Sequence, residues 1–171
     1  VLVRHAAQGN EGAFEALVRL HQDRAFLSAL RLLGNHSDAQ DAVQEAFLQA
    51  WRALPRFRGE ASFGTWFTRI LINTCHNLRR KAAADSLSLE PDAGGAVPGA
   101  DEVGEVNLRR DSVRQAVLAL PFDQRAPLVL HTFAGYSHAE IGRILGISEN
   151  AAKVRVHRAR RALVETLREW S

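Results

Sequence analysis

Apolar residues recur at helical spacing from Glu11 to about Lys81, and again from about Leu108 to Trp170. Nowhere do they alternate with the period of two that a half-buried strand requires. The pattern predicts an all-α chain built as two helical blocks. Gly34 is expected to end a first helix, because glycine readily takes the left-handed conformation found there. Ser37 and Gln40 have the spacing of a capping box and are expected to open a second helix. Pro55 ends that helix, since the residue before a proline avoids helical dihedrals. Arg56 to Ser62 reads as a loop, and a third helix runs from about Ser62 to Lys81.

Residues 82–108 sustain no apolar period and hold Pro91, Pro98, Gly94, Gly95, Gly99 and Gly104. A flexible linker is expected there, too polar and broken to build a core. The domains predicted are therefore 1–81 and 109–171, two small helical domains joined by residues 82–108.

In the second block, Tyr136 to Ser148 reads as helix, tight turn, helix. Ser137 and Glu140 form a capping box, and Ile141, Ile144 and Leu145 give one apolar face. Gly146 makes the turn and Ser148 caps the next helix. That helix has an inward stripe of Ala152, Val156, Ala159 and Leu163. Its outward stripe is Asn150, Lys153, Val154, His157 and Arg161. Lys153 to Arg161 carries five Lys or Arg and no acid, which suits a helix reading base edges and phosphates.

In the first block, the second helix turns Ala39, Val43, Ala46, Phe47 and Ala50 to the core. Asp41, Gln44, Glu45 and Leu48 form another stripe, with the composition of a solvated face or of a docking face: an apolar anchor within a polar rim. The loop and third helix together interleave aromatics, amides and arginines from Phe57 to Lys81. Rings that stack on bases, cations that track phosphates and amides that bond base edges hold single-stranded nucleic acid in this way. Phe67, Ile70 and Leu71 are assigned to the core.

The net charge of +3 conceals a strong asymmetry. Residues 56–81 carry +5 and residues 109–171 carry +5, while residues 82–108 carry −6 with no base among them. Two separate contacts with polyanions are expected. The single cysteine, Cys75, excludes an internal disulfide and reads as a small buried side chain. No two of the seven histidines have the i, i+4 spacing of a zinc-binding helix, which argues against a metal hydrolase. No long apolar run and no export leader are evident, so neither membrane insertion nor secretion is expected. A plain helix-turn-helix regulator is the other reading, and the Asp41/Gln44/Glu45/Leu48 stripe and the Phe57–Lys81 segment argue against it.

Asp38 to Trp51 resembles the polymerase-binding helix of region 2 of the extracytoplasmic-function (ECF) sigma factors, within the sigma-70 family. Phe57 to Arg80 resembles the promoter-melting part of the same region, and Leu120 to Arg161 resembles region 4. The resemblance implies a stress-response transcription factor without enzymatic activity, cofactor or metal, acting in the cytoplasm with core RNA polymerase. It implies that Asp41, Gln44, Glu45 and Leu48 contact the clamp helices of the polymerase β′ subunit. Arg58, Phe63, Trp66, Asn73, His76, Asn77, Arg79 and Arg80 would recognise the −10 element as a single strand. His131, Asn150, Lys153, Val154, His157, Arg158 and Arg161 would read the −35 element as duplex, with the second domain seated on the β flap. The linker would thread into the polymerase cleft, and an anti-sigma factor would cover the polymerase-binding surfaces. His131 stands where relatives often have Arg, Val154 where Ser is common, and Asn77 where Asp is common, which predicts promoter preferences of its own.

Overall fold

The computed structural model describes residues 1–88 and 104–170, which hold helices and no strand. The helices are α1 (Leu2–Ala7), α2 (Glu11–Leu33), α3 (His36–Ala53), α4 (Phe63–Ser88), α5 (Gly104–Ala119), α6 (Phe122–Leu128), α7 (His138–Leu145) and α8 (Glu149–Trp170). A 3-10 turn at Leu54–Arg56 follows α3, and a π-type segment at Val129–Phe133 continues α6.

Local chemistry sets most of these boundaries. Gly34 ends α2 at φ 75° and Gly146 ends α7 at φ 69°, both left-handed as expected. The Ser137/Glu140 capping box forms in full. Ser148 Oγ accepts from the Ala151 amide at 3.0 Å, capping α8. The start of α3 differs from expectation. Its cap is Asn35, whose side chain accepts from the Asp38 amide at 3.0 Å, and Ser37 lies inside the first turn. Asparagine caps as well as serine, and Asn35 is the residue whose extended backbone aims its side chain at the free amides. Pro55 turns α3 into the 3-10 segment. The short α1 carries no strong periodic signal and was not anticipated. Helix α4 continues to Ser88, past the expected end at Lys81, and α5 starts at Gly104. The middle of the expected linker, residues 89–103, lies outside the described residues.

In the N-terminal unit, α3 packs on both α2 and α4. It does so through Ala39, Ala42, Ala46 and Ala50, all fully buried, whose small side chains let the helix axes approach. Ala42 replaces the expected Val43, which is only half-buried. Phe47 stacks on Phe67 with ring centroids 4.3 Å apart, and Phe63 stacks in turn on Phe67. Leu54 and Leu71 are fully enclosed, each contributing about 2 kcal/mol by burial. Cys75 is buried here too, and desolvation pushes its thiol up to about 12.

In the C-terminal unit, α8 packs on α5, α6 and α7. Ala152, Val156 and Ala159 point inward as expected, while Leu163 is half-buried. Gly142 is essential to the turn that follows: a β-carbon there would lie 2.7 Å from the Ile147 carbonyl oxygen. The Ile147 amide donates to the Gly142 carbonyl at 2.9 Å, so the two strands of backbone touch without a side chain between them.

The two units also pack on each other, which the local pattern did not predict. The Arg125 side chain, 3% exposed, donates from Nη1 to the Leu32 carbonyl at the end of α2, at 2.7 Å. From Nε it donates to Val117 at 3.1 Å, and from Nη2 to Leu120 at 2.8 Å and to Leu118. One buried guanidinium thus settles the open carbonyls of α5 and joins them to α2. Burial, then the nearby Arg79 charge, lowers its pKa to about 10, so it stays charged at neutral pH. Gly34 fits against Leu118, where a β-carbon would come within 2.5 Å of Cδ1. Thr68 Oγ1 donates to the Gly64 carbonyl at 2.6 Å, so the Tyr136 hydroxyl must donate to Thr68 at 2.9 Å. The Arg24 guanidinium lies 4.5 Å over the Tyr136 ring and donates to the Ala134 carbonyl.

Candidate nucleic-acid and polymerase interfaces

Three surfaces gather the residues singled out by sequence. The first lies on α3. Asp41, Gln44, Glu45 and Leu48 are all exposed, and Leu48, at 45% exposure, is a rare large aliphatic side chain left open on that helix. Glu45 Oε1 accepts from Gln49 Nε2 at 3.1 Å. Leu48 lies on a groove of about 500 Å³ between α2 and α3, with Phe14, Val18, Phe47 and Trp51 on its walls. Phe14 and Trp51 are 4.8 Å apart, ring to ring. Sequence reasoning missed the contribution of α2, because Phe14 and Val18 read equally well as core residues. The groove has the composition of a seat for a partner helix: an apolar floor, with Glu11, Glu15 and Gln44 at its rim.

The second surface runs along α4 and the loop before it. Asn73, Asn77 and Arg80 are exposed at i, i+4 and i+7, one continuous face. Trp66 is half-buried, tilted against Phe57 at 4.9 Å, and Arg58 is exposed in the loop. The loop is hinged by Gly59 at φ 73° and closed by Ser62, whose Oγ accepts from the Thr65 amide at 3.2 Å. Phe63 requires a correction. It is 7% exposed and sandwiched between Phe67, Trp66 and His21, so it offers no free ring to a base. It starts α4 on the inward side, where Phe67 continues the same stripe one turn later. His76 and Arg79 are also placed differently from expectation: both meet Phe122 of the C-terminal unit, at 4.9 Å and 5.4 Å. A strand bound along all of α4 would have to displace Phe122.

The third surface is α8. Asn150, Lys153, Val154, His157, Arg158 and Arg161 are all exposed, and Val154 is 38% exposed on the outward face. His131 lies beside this helix rather than on it. Its Nδ1 is 3.0 Å from the Tyr136 carbonyl oxygen, which can only accept, so Nδ1 carries the proton. In the neutral ring Nε2 is then a bare acceptor, and His131 can donate to a phosphate only as an imidazolium. The His131 ring stacks on His138 at 4.3 Å. Desolvation, then the charges of His131, Lys153 and Arg160, lower the His138 pKa, with Glu149 opposing.

Among the described residues, no group of three or more His, Cys, Asp and Glu could hold a metal, and no helix is long and apolar enough to cross a membrane.

Comparison with known proteins places both helical units in known families. Sigma-70 region 2 matches residues 17–84, and sigma-70 region 4 matches residues 110–163. The chain is 34% identical to the RNA polymerase sigma-H factor of Pseudomonas aeruginosa, covering 97% of this chain and 92% of that one. It is 36% identical to the ECF RNA polymerase sigma factor SigM of Mycobacterium tuberculosis, covering 98% and 83%. Among solved structures, CnrH in complex with the cytosolic domain of CnrY superimposes with a TM-score of 0.76 at 30% identity, covering 99% of this chain and 97% of that one. The sigma factor RpoE of Bartonella quintana, bound to the anti-sigma factor NepR, gives 0.71 at 25% identity, covering 91% and 96%.

Proposed function

Because the chain belongs to the ECF sigma factors of the sigma-70 family, and so directs RNA polymerase to promoters, we propose that its three surfaces divide that work. The α2–α3 groove around Leu48 takes a polymerase β′ clamp helix, with Asp41, Gln44 and Glu45 as its polar border. The Trp66–Arg80 face, with Arg58, holds the unpaired −10 strand, and α8 reads the −35 duplex while its unit sits on the β flap. The observation that carries this reading is one chain presenting an apolar-centred helix face and a cationic helix face, both exposed. The factor performs no covalent chemistry and acts in the cytoplasm beside the polymerase.

The proposed cycle uses binding free energy alone. Arg158 and Arg161 neutralise phosphates and release counterions, so promoter affinity falls steeply with salt. Lys153 and Val154 reach base edges, the first as a donor and the second as an apolar contact for a thymine methyl. Unstacking a −10 base costs a few kcal/mol, which Trp66 and the amides of Asn73 and Asn77 offset by stacking and hydrogen bonding.

CnrH and RpoE were both solved with partners bound, and an anti-sigma factor is proposed here too. Its seat is a cavity of about 660 Å³ between α2 and α5, floored by Leu27, Leu30, Val113 and Phe133. Arg31, Arg110 and Arg114 rim that floor, a composition that suits an acidic amphipathic helix.

In vitro transcription with core polymerase on a promoter library tests the whole reading. Defined start sites that require this protein are the expected result, and their absence would overturn it.

A further inference from the structure

The loop before α4 borders a cavity of about 500 Å³ that the C-terminal unit helps to build. Three of its arginines, Arg56, Arg58 and Arg69, come from the N-terminal unit, and the fourth, Arg143, comes from α7. Glu60 is the one carboxylate on its wall, so four cations meet one anion. All four arginines are exposed, and none has an ion pair among the described residues. Phe57 and Trp66 provide half-buried aromatic surface on the same wall. Gathering like charges at the seam of two units costs Coulomb energy unless an anion occupies it. A planar apolar surface beside guanidinium forks is the chemistry of base and phosphate recognition.

We propose that this two-unit cavity binds a free nucleoside di- or triphosphate, its base on Trp66 and Phe57 and its phosphates on the four arginines. The inference rests on the reading of Arg58 and Trp66 as part of the −10 strand site. It goes further in assigning Arg143, to which the proposed promoter contacts give no role, to the ligand. The surplus of three positive charges, four arginines against Glu60, matches a polyphosphate better than a monophosphate. A ligand that needs both units stabilises only the closed arrangement. Free nucleotide would therefore hold His76 and Arg79 against Phe122, delaying assembly with polymerase. Promoter DNA would then compete for the same tryptophan.

The experiment is isothermal titration of the full chain with ATP, AMP and inorganic tripolyphosphate, in parallel with a single-stranded −10 oligonucleotide. The expected order is ATP tightest, with AMP and tripolyphosphate each at least about tenfold weaker. Arg143→Ala should weaken ATP about tenfold, leave oligonucleotide binding unchanged, and leave promoter-directed transcription with saturating core polymerase unchanged. Arg143→Lys should recover part of the loss. Tripolyphosphate binding as tightly as ATP, undiminished ATP binding by Arg143→Ala, or no ATP binding at about 1 mM overturns the inference. If the oligonucleotide binds and ATP does not, the −10 reading survives and the nucleotide site falls. If neither binds, both fall.

Discussion

Two long basic helices, α4 and α8, carry the nucleic-acid contacts proposed here, and they are built on opposite plans. Helix α8 buries a narrow stripe of Ala152, Val156 and Ala159 and leaves Lys153, His157, Arg158, Arg160 and Arg161 exposed. Helix α4 buries Phe63, Phe67, Leu71, Ile72 and Cys75, and then lends part of its remaining surface to the other unit. Its His76 and Arg79 lie against Phe122, and Thr68 accepts from Tyr136. A duplex can meet α8 as it stands, whereas a single strand must compete for α4. The lesson is that a helix ready for one partner and a helix reserved for a later one differ in what covers them, more than in their charge.

Removing the clasp between the units should break this contrast with the largest effect. Arg125→Ala strips partners from the carbonyls of Leu32, Val117, Leu118 and Leu120. A loss of about 3–5 kcal/mol of stability is expected, measured by urea denaturation. An unchanged midpoint would show that water replaces the guanidinium without cost. Leu48→Asp should weaken binding to core polymerase by roughly 2 kcal/mol or more while leaving the fold intact. Undiminished co-purification with core enzyme would remove Leu48 from the interface.

The two helices themselves are separated by a pair of substitutions. Lys153→Ala should cost about 1–3 kcal/mol in −35 duplex affinity and alter preference at one base position. Asn73→Ala should spare duplex binding and slow promoter opening, followed with a fluorescent base in the −10 element. A uniform loss across all sequences in the first case would make Lys153 a phosphate contact. Normal opening in the second would take Asn73 out of the −10 site.

The smallest effect concerns pH. It lies at His138, whose folded pKa lies below its unfolded value. Its contribution is complete above the ordinary imidazole pKa and is lost as pH falls through the lowered one. Denaturation midpoints of His138→Gln across that range check the sign.

Much of the architecture was legible because it is local. Gly34, Gly146, Ser148 and the Ser137/Glu140 pair each act within one turn, and each performs as read. The exposed α3 and α8 stripes followed from periodicity alone. What escaped was non-local. Phe63 and Trp66 look alike in a string of aromatics, and only the stack on Phe67 makes one of them core. Gly142 reads as an ordinary helical glycine until the Ile147 carbonyl arrives beside it. Arg125 resembles any surface cation, yet its carbonyl partners come from α2 as well as from α5. The cap at Asn35 was missed for a different reason: Asn35 and Ser37 are equally good caps two residues apart, and periodicity does not resolve a boundary that finely.

The enclosed thiol of Cys75 has a practical corollary. Held protonated far above neutrality, it is shielded from maleimides, oxidants and disulfide exchange. A cysteine engineered at any exposed position would consequently be the molecule's one reactive handle. Pairs of such handles, one on each unit, would accept dyes or spin labels without touching the native sulfur, so the distance between the two packed units can be measured directly.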